Sequence, residues 1–151
     1  MKEKEKNVME ISEINCIYYN YRVARGWSYS FEIKKEGSDY FLCAEFEDPE
    51  NSYKPTNLIW GKKEHEKIIK VFFDRIIKII ENNDVLFWDG FDEYDPQAKD
   101  GRGFNLRIDF ENDAHLTAQG DNSFPLRYSE VNREFYVLIN EIIEIYHEIK
   151  K

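Results

Sequence analysis

The amino-acid sequence predicts an α+β fold, with a mainly antiparallel sheet and two helices packed on one of its faces. Several short segments alternate apolar and polar residues, as strands with one buried face do. Two longer segments carry apolar residues at helical spacing. The order is strand, strand, strand, helix, twice over, which predicts one domain at 11–151 behind a charged, flexible tail at 1–10.

Two adjacent strands are predicted at the start of the domain. Residues 14–23 are rich in Tyr and Ile, which favour strands. Residues 27–34 alternate strictly, with Tyr29, Phe31 and Ile33 on one face and polar residues on the other. The second strand is therefore expected to have one buried and one wet face.

A hairpin turn at 36–39 is predicted to lead into a third strand at 40–46. The connection at 47–63 contains two prolines and is expected to be irregular. A helix with a broad apolar stripe is predicted at 64–81, and the polar run 82–84 ends it.

The second half of the chain gives the same order of elements. Its predicted strands are 85–88, 104–110 and 114–119, and its predicted loops are 89–103, 111–113 and 120–128. Ser129 is the expected N-cap of a final helix whose apolar residues recur at steps of three and four as far as Ile149.

The two halves, 14–82 and 85–150, are predicted to be an internal repeat. The best local match aligns 26–33 with 101–108 and pairs Tyr29 with Phe104, Phe31 with Leu106 and Ile33 with Ile108. Alternation alone produces such agreement, so true duplication and chance both stay open. The two helices differ in charge: 62–81 holds six basic and four acidic residues, and 130–148 holds five acidic and one basic.

The net charge of −9 opposes unspecific binding to nucleic acid and to anionic membrane surfaces. It favours a basic protein as partner, although solubility alone is the other reading. Cys16 and Cys43 lie in apolar alternating segments and are interpreted as small core residues, with a disulfide left open. The charged first residues lack a signal-peptide pattern, so a cytoplasmic location is expected.

A candidate binding surface lies in the loops 89–103 and 120–128. In an antiparallel meander these loops leave the first and third strands at the same end of the sheet. Five acidic residues stand against one lysine between positions 89 and 100, and aromatic residues border them. The candidate binding residues are Trp88, Asp89, Asp92, Glu93, Asp95, Asp100, Asp121 and Phe124. The alternative is an ordinary solvated loop.

No sequence pattern indicates a catalytic, metal or cofactor site. The three His residues stand alone, and the run from Asp109 departs from a calcium loop, because Ala114 replaces its turn glycine. There is no nucleophile elbow, and the glycines at 101 and 103 precede a strand rather than a helix. No catalytic residue, metal ligand or cofactor is therefore expected.

Three segments carry a resemblance to a family of small bacterial proteins without an assigned activity. They are WDGF at 88–91, DGRGFNLRI at 100–108 and GDNSFP at 120–125. The family pattern is W-x-G-F, F-x-L-x-I and G-x-N-x-F-P. The resemblance implies no activity, but it marks the loops around Trp88 and Phe124 as the distinctive part of the domain.

Three functions remain in consideration. The first is a non-catalytic binding protein, of inhibitor or immunity type, that presents its acidic loops to a basic partner. The second is an enzyme of undetected type with carboxylates in the same loops. The third is a homo-oligomeric structural module, because the last helix carries further apolar residues at Ile139, Ile143 and Tyr146.

Overall fold

A seven-stranded sheet forms the centre of the fold, and two helices cover one of its faces. The computed structural model describes residues 8–24, 28–47, 56–60, 63–97 and 101–150. The strands are β1 (Ile14–Val23), β2 (Ser28–Glu36), β3 (Asp39–Glu47), β4 (Thr56–Trp60), β5 (Asp92–Tyr94), β6 (Arg102–Phe110) and β7 (His115–Asp121). The helices are α1 (Glu66–Asn82) and α2 (Tyr128–Lys150). The predicted α+β fold is confirmed.

The strand order is β4-β3-β2-β1-β6-β7-β5. All neighbouring pairs are antiparallel except β5 with β7, so the sheet is mixed but mostly antiparallel. The hairpins β2–β3 and β6–β7 form where the sequence predicts them, with tight turns after Glu36 and Phe110. Gly37 and Asp113 adopt positive φ in these turns, which glycine and aspartate tolerate.

Strand β1 lies between the two segments that match in the predicted repeat. Tyr19 of β1 pairs with Phe31 of β2 on one side and with Leu106 of β6 on the other. The aligned positions therefore face the same residue of β1. The hairpins run outward in opposite directions along the sheet, yet both halves contribute to one hydrophobic cluster. The internal repeat stays a prediction, with duplication and chance both open.

Both helices pack on the sheet face that carries the buried strand residues. Their buried residues are Ile69, Phe72, Phe73, Ile76 and Ile80 in α1, and Tyr128, Val131, Phe135, Leu138, Ile139 and Ile142 in α2. The Phe135 and Phe31 rings meet edge to face, with centroids 5.2 Å apart. Arg75 of α1 and Glu141 of α2 form an ion pair at 2.6 Å, and the hydrogen bond from Arg75 lowers the pKa of Glu141.

The apolar stripe of α2 is used within the molecule. Ile139, which the sequence suggested as part of a surplus stripe, is 1% exposed. Ile143 and Tyr146 are half-buried and pack against the same core. The stripe that motivated the oligomeric hypothesis therefore lies against this chain's own sheet.

A hydrogen-bonded group, here the tyrosine network, joins the sheet to α2. It consists of Tyr19, Tyr29, Tyr128 and Asn132. The Tyr19 hydroxyl lies 2.5 Å from the Tyr128 hydroxyl and donates to Asn132 Oδ1 at 2.8 Å. The Tyr29 hydroxyl donates to the Asn132 carbonyl oxygen at 2.8 Å. Burial raises the pKa of all three tyrosines well above the ordinary value.

The structure corrects the prediction of an irregular connection at 47–63. Thr56–Trp60 forms strand β4, which pairs with β3 at one edge of the sheet. The remainder of this connection, 48–55 with both prolines and 61–62, lies outside the described residues. The prolines obscured a short strand that starts just after them.

The predicted strand at 85–88 is wrong, because Val85–Trp88 is a 3₁₀ helix. Asp84 adopts a left-handed conformation (φ 54°) and turns the chain out of α1. Val85 and Trp88 are both buried and lie three residues apart, which is the repeat of a 3₁₀ helix. Three residues of the following predicted loop, Asp92–Tyr94, form β5 instead.

Ser129 is not the N-cap of the final helix, because α2 already begins at Tyr128.

The interpretation of both cysteines as core residues is also wrong. Cys16 is half-buried and Cys43 is exposed, and their β2 partners, Lys34 and Glu32, point to the face without helices. Both are free thiols.

The predicted tail at 1–10 lies outside the described residues except for positions 8–10. Neither α1 nor α2 has, in its described residues, the apolar stretch that crossing a bilayer requires.

Candidate functional site

The predicted binding loops lie side by side at the β7 edge of the sheet. Strand β5 runs parallel to β7, with Asp92 opposite Gln119 and Tyr94 opposite Asp121. The pairing begins before the strand, because Gly90 N donates to the Thr117 carbonyl oxygen at 2.9 Å. Residues 90–95 are therefore held to the sheet by backbone hydrogen bonds and are not a free loop.

Three carboxylates of this segment are each fixed by one hydrogen bond from a neutral donor. Asp89 Oδ1 accepts from Thr117 N at 3.2 Å, and Asp92 Oδ1 accepts from Gln119 Nε2 at 3.0 Å. Glu93 Oε2 accepts from Ser123 Oγ at 3.0 Å. All three residues are exposed. Neutral donors leave the negative charge uncancelled, so the chain presents three oriented anions.

Two further acids complete this surface, here the acidic edge (Asp89, Asp92, Glu93, Asp95 and Asp121). Asp95 is half-buried and accepts a hydrogen bond from Gln97 N at 2.9 Å. Asp121 Oδ1 pairs with Arg22 Nη2 at 3.3 Å, and both side chains are well exposed. Sequence reasoning missed Arg22, because its strand lies almost 100 residues away in the chain. Asp100 lies outside the described residues.

The two aromatic residues predicted for this surface are mainly structural. Trp88 is 4% exposed, and its indole Nε1 donates to the Leu126 carbonyl oxygen at 3.0 Å. Phe124 is half-buried, stacks on Tyr128 with centroids 4.6 Å apart and lies under the Arg102 guanidinium at 4.9 Å. Trp88 therefore holds the 122–127 loop to the core and exposes little surface of its own.

Two residues other than Trp88 and Phe124 are the large exposed apolar residues of this region. Phe87 is 88% exposed and Leu126 is 84% exposed. They flank a groove of about 430 Å³, here the apolar groove, with Trp88, Phe91 and Phe124 among its lining residues. Phe87 was missed because 85–88 was predicted to be a short apolar strand, whereas the 3₁₀ helix leaves its ring exposed.

Catalytic chemistry gains no support from the described residues. No group of three His, Cys, Asp or Glu side chains among them could hold a metal ion. Burial, followed by Glu32, raises the pKa of Cys16 to about 11, whereas a thiol nucleophile needs a lowered pKa. His115 Nδ1 lies 3.0 Å from Asp109 Oδ1 on an exposed strand face.

A wider groove of about 700 Å³ lies on the sheet face without helices. Tyr18, Asn105, Arg107 and Gln119 line it, and among its described lining residues Asp92 is the one carboxylate. A pair of acids for general acid and base catalysis is therefore not assembled in this groove.

No protein-family model matches the chain, and no curated protein matches its sequence. The resemblance to small bacterial proteins stays a prediction.

Proposed function

We propose that this protein is a non-catalytic binding protein, of inhibitor or immunity type, whose acidic edge docks on a basic protein. The observation that carries the proposal is the fixing of Asp89, Asp92 and Glu93 by neutral donors at an exposed sheet edge. Carboxylates held in this way lose little side-chain entropy on binding. They are also ready acceptors for the forked N–H groups of arginine.

The charge of the whole chain acts in the same direction. A net charge of −9 attracts a cationic partner over distances of about a Debye length, roughly 8 Å at physiological salt. Such steering raises association rates by a factor of about 10 to 1,000. The acidic edge then gives the encounter its orientation.

Tyr94 supplies an aromatic contact within the acidic edge. It is 68% exposed and shares a strand face with Asp92, since both lie in β5 two residues apart. An arginine of the partner can stack on the ring while its N–H groups reach the carboxylate. Two free thiols suit a reducing compartment, so the proposal includes a cytoplasmic site of action.

An enzymatic role is the weaker candidate. Asp92 and Glu93 are adjacent in β5 and therefore lie on opposite faces of the strand, with Asp92 bonded to Gln119 and Glu93 to Ser123, and both are exposed. Acid and base catalysis needs groups that converge on one reacting atom.

The test is affinity capture from a lysate of the source cells with three versions of the protein. The edge variant D89N/D92N/E93Q removes three charges, while each amide oxygen can still accept its hydrogen bond. The control E32Q/E45Q/E144Q removes three exposed charges from β2, β3 and α2. We expect wild type and control to capture the same basic protein and the edge variant to lose it.

Retention of that protein by the edge variant at wild-type yield would contradict the proposal, as would the absence of any basic protein from the wild-type capture. The purified pair should also dissociate as salt rises, because exposed charges are screened.

A further inference from the structure

We infer that the apolar groove is the anchor site for this basic partner and takes one bulky apolar or aromatic side chain from it. The inference rests on the proposed function, because the charges around the groove select the partner. It names the segment that binds: a large apolar residue with lysine or arginine on either side.

The groove is already formed in the free protein. Its rim residue Leu126 is held in place by the hydrogen bond from Trp88 Nε1 to the Leu126 carbonyl oxygen. Below it, the Phe124 ring stacks on Tyr128, whose side chain is 2% exposed. A volume of about 430 Å³ falls within the ordinary range of small binding pockets. Binding therefore needs no opening of the core.

The rim of the apolar groove consists of apolar side chains that are exposed to solvent. Phe87 and Leu126 keep nearly all of their side chains in water, at 88% and 84% exposure. Neighbouring exposed apolar side chains on a rigid frame are typical of interaction sites. Burying both under a partner residue should strengthen binding by about 10- to 100-fold.

Charge selects the flanks of the bound segment. On one side of the groove Arg127 is paired with Asp84 at 3.4 Å and also donates to the Asn82 carbonyl oxygen. Beside the groove, Glu93 accepts from Ser123, the residue before the lining residue Phe124. The charge of Arg127 is thus compensated, and the second nearby cation, Arg102, lies over the Phe124 ring and donates to the Tyr21 hydroxyl at 3.0 Å. Glu93 accepts from a neutral donor and keeps its full charge for a partner. An apolar residue flanked by basic ones is complementary to this pattern.

A random dodecamer phage library, panned on the immobilised full-length protein, tests the inference. We expect enrichment of peptides with Trp, Phe or Leu flanked by Lys or Arg. The strongest peptide is then synthesised, and its affinity is measured by fluorescence anisotropy. The groove variant F87S/L126S should weaken binding about 10- to 100-fold, and the control V71S/V137S, which alters two exposed helix residues, should not. Circular dichroism confirms that each variant is folded.

Enriched peptides without this pattern, no enrichment, or equal binding by wild type and the groove variant would overturn the inference. The edge variant D89N/D92N/E93Q separates the two proposals. If it loses the peptide while F87S/L126S retains it, the acidic edge stands and the anchor site falls. If F87S/L126S loses the peptide and the edge variant does not, the groove binds but the proposed electrostatic function fails.

Discussion

Raising the pH above 10 should unfold this protein steeply, because the three hydroxyls of the tyrosine network resist ionisation while they are buried. Burial is the largest cause of the raised pKa of Tyr19, Tyr29 and Tyr128. An unfolded chain releases these protons near pH 10, whereas the folded chain retains them to higher pH. The folded state therefore binds more protons above pH 10, and its stability falls as pH rises.

The slope follows from the number of protons. Each proton that only the folded state retains lowers the free energy of unfolding by about 1.4 kcal/mol per pH unit. Three such protons lower it by about 4 kcal/mol per pH unit. A domain of this size has roughly 5 to 15 kcal/mol of stability. Unfolding is therefore expected about one to four pH units above 10. The Cys16 thiol, whose pKa is raised to about 11, adds a further proton in part of this range.

The assay is urea denaturation between pH 9 and pH 11.5, followed by circular dichroism. It uses a C16S/C43S background, because burial raises the pKa of both thiols. The Y19F variant should reduce the slope by about one third, because one of the three retained protons is gone. The chain has ten tyrosines, and the part of the tyrosinate absorbance that belongs to Tyr19, Tyr29 and Tyr128 should appear only in the pH interval in which helix content is lost. A free energy of unfolding that stays constant between pH 10 and pH 11.5 would refute the reasoning, as would complete tyrosine ionisation in a folded chain.

Three further substitutions test the frame of the site. G120A should destabilise the fold by about 3 kcal/mol or more, because the alanine Cβ would lie 2.0 Å from the Ser123 carbonyl oxygen. A melting temperature equal to that of the wild type would contradict this contact. W88F should cost about 1 to 3 kcal/mol in urea denaturation, since it removes the indole N–H that holds the 122–127 loop; a wild-type midpoint would mean that this hydrogen bond contributes nothing. R22Q should change stability by less than about 1 kcal/mol, because its pair with Asp121 is exposed, yet it should speed association with the basic partner; slower association in stopped-flow mixing would argue against the acidic edge.

Alternation and helical spacing predicted the larger elements well. Tyr29, Phe31 and Ile33 lie on the buried face of β2 as expected, and α1 and α2 carry their apolar stripes against the sheet. These elements could be predicted because each is long and has one solvent-exposed face. Short elements were not: Val85–Trp88 has four residues, which is too few to distinguish a period of two from a period of three.

The candidate site was only partly predictable. The prediction placed the acidic residues beside the 120–128 loop by assuming a meander whose first strand, 85–88, is in fact a 3₁₀ helix. They lie there because β5 pairs in parallel with β7, which the loop sequence did not reveal. Trp88 was assigned to the surface because it adjoins acidic residues, but its ring is in the core. Phe87 and Leu126 went unnoticed, since exposure of an apolar residue depends on local turns that sequence spacing does not report.

The most direct test of the acidic edge is amide chemical-shift mapping on the ¹⁵N-labelled full-length protein, titrated with the basic protein that it captures. The account predicts that the largest shifts fall within 87–95 and 119–127, around the acidic edge and the apolar groove. It also predicts that D89N/D92N/E93Q removes them. Shifts concentrated on β2 and β3 or along α2, with residues 87–95 unaffected, would contradict it.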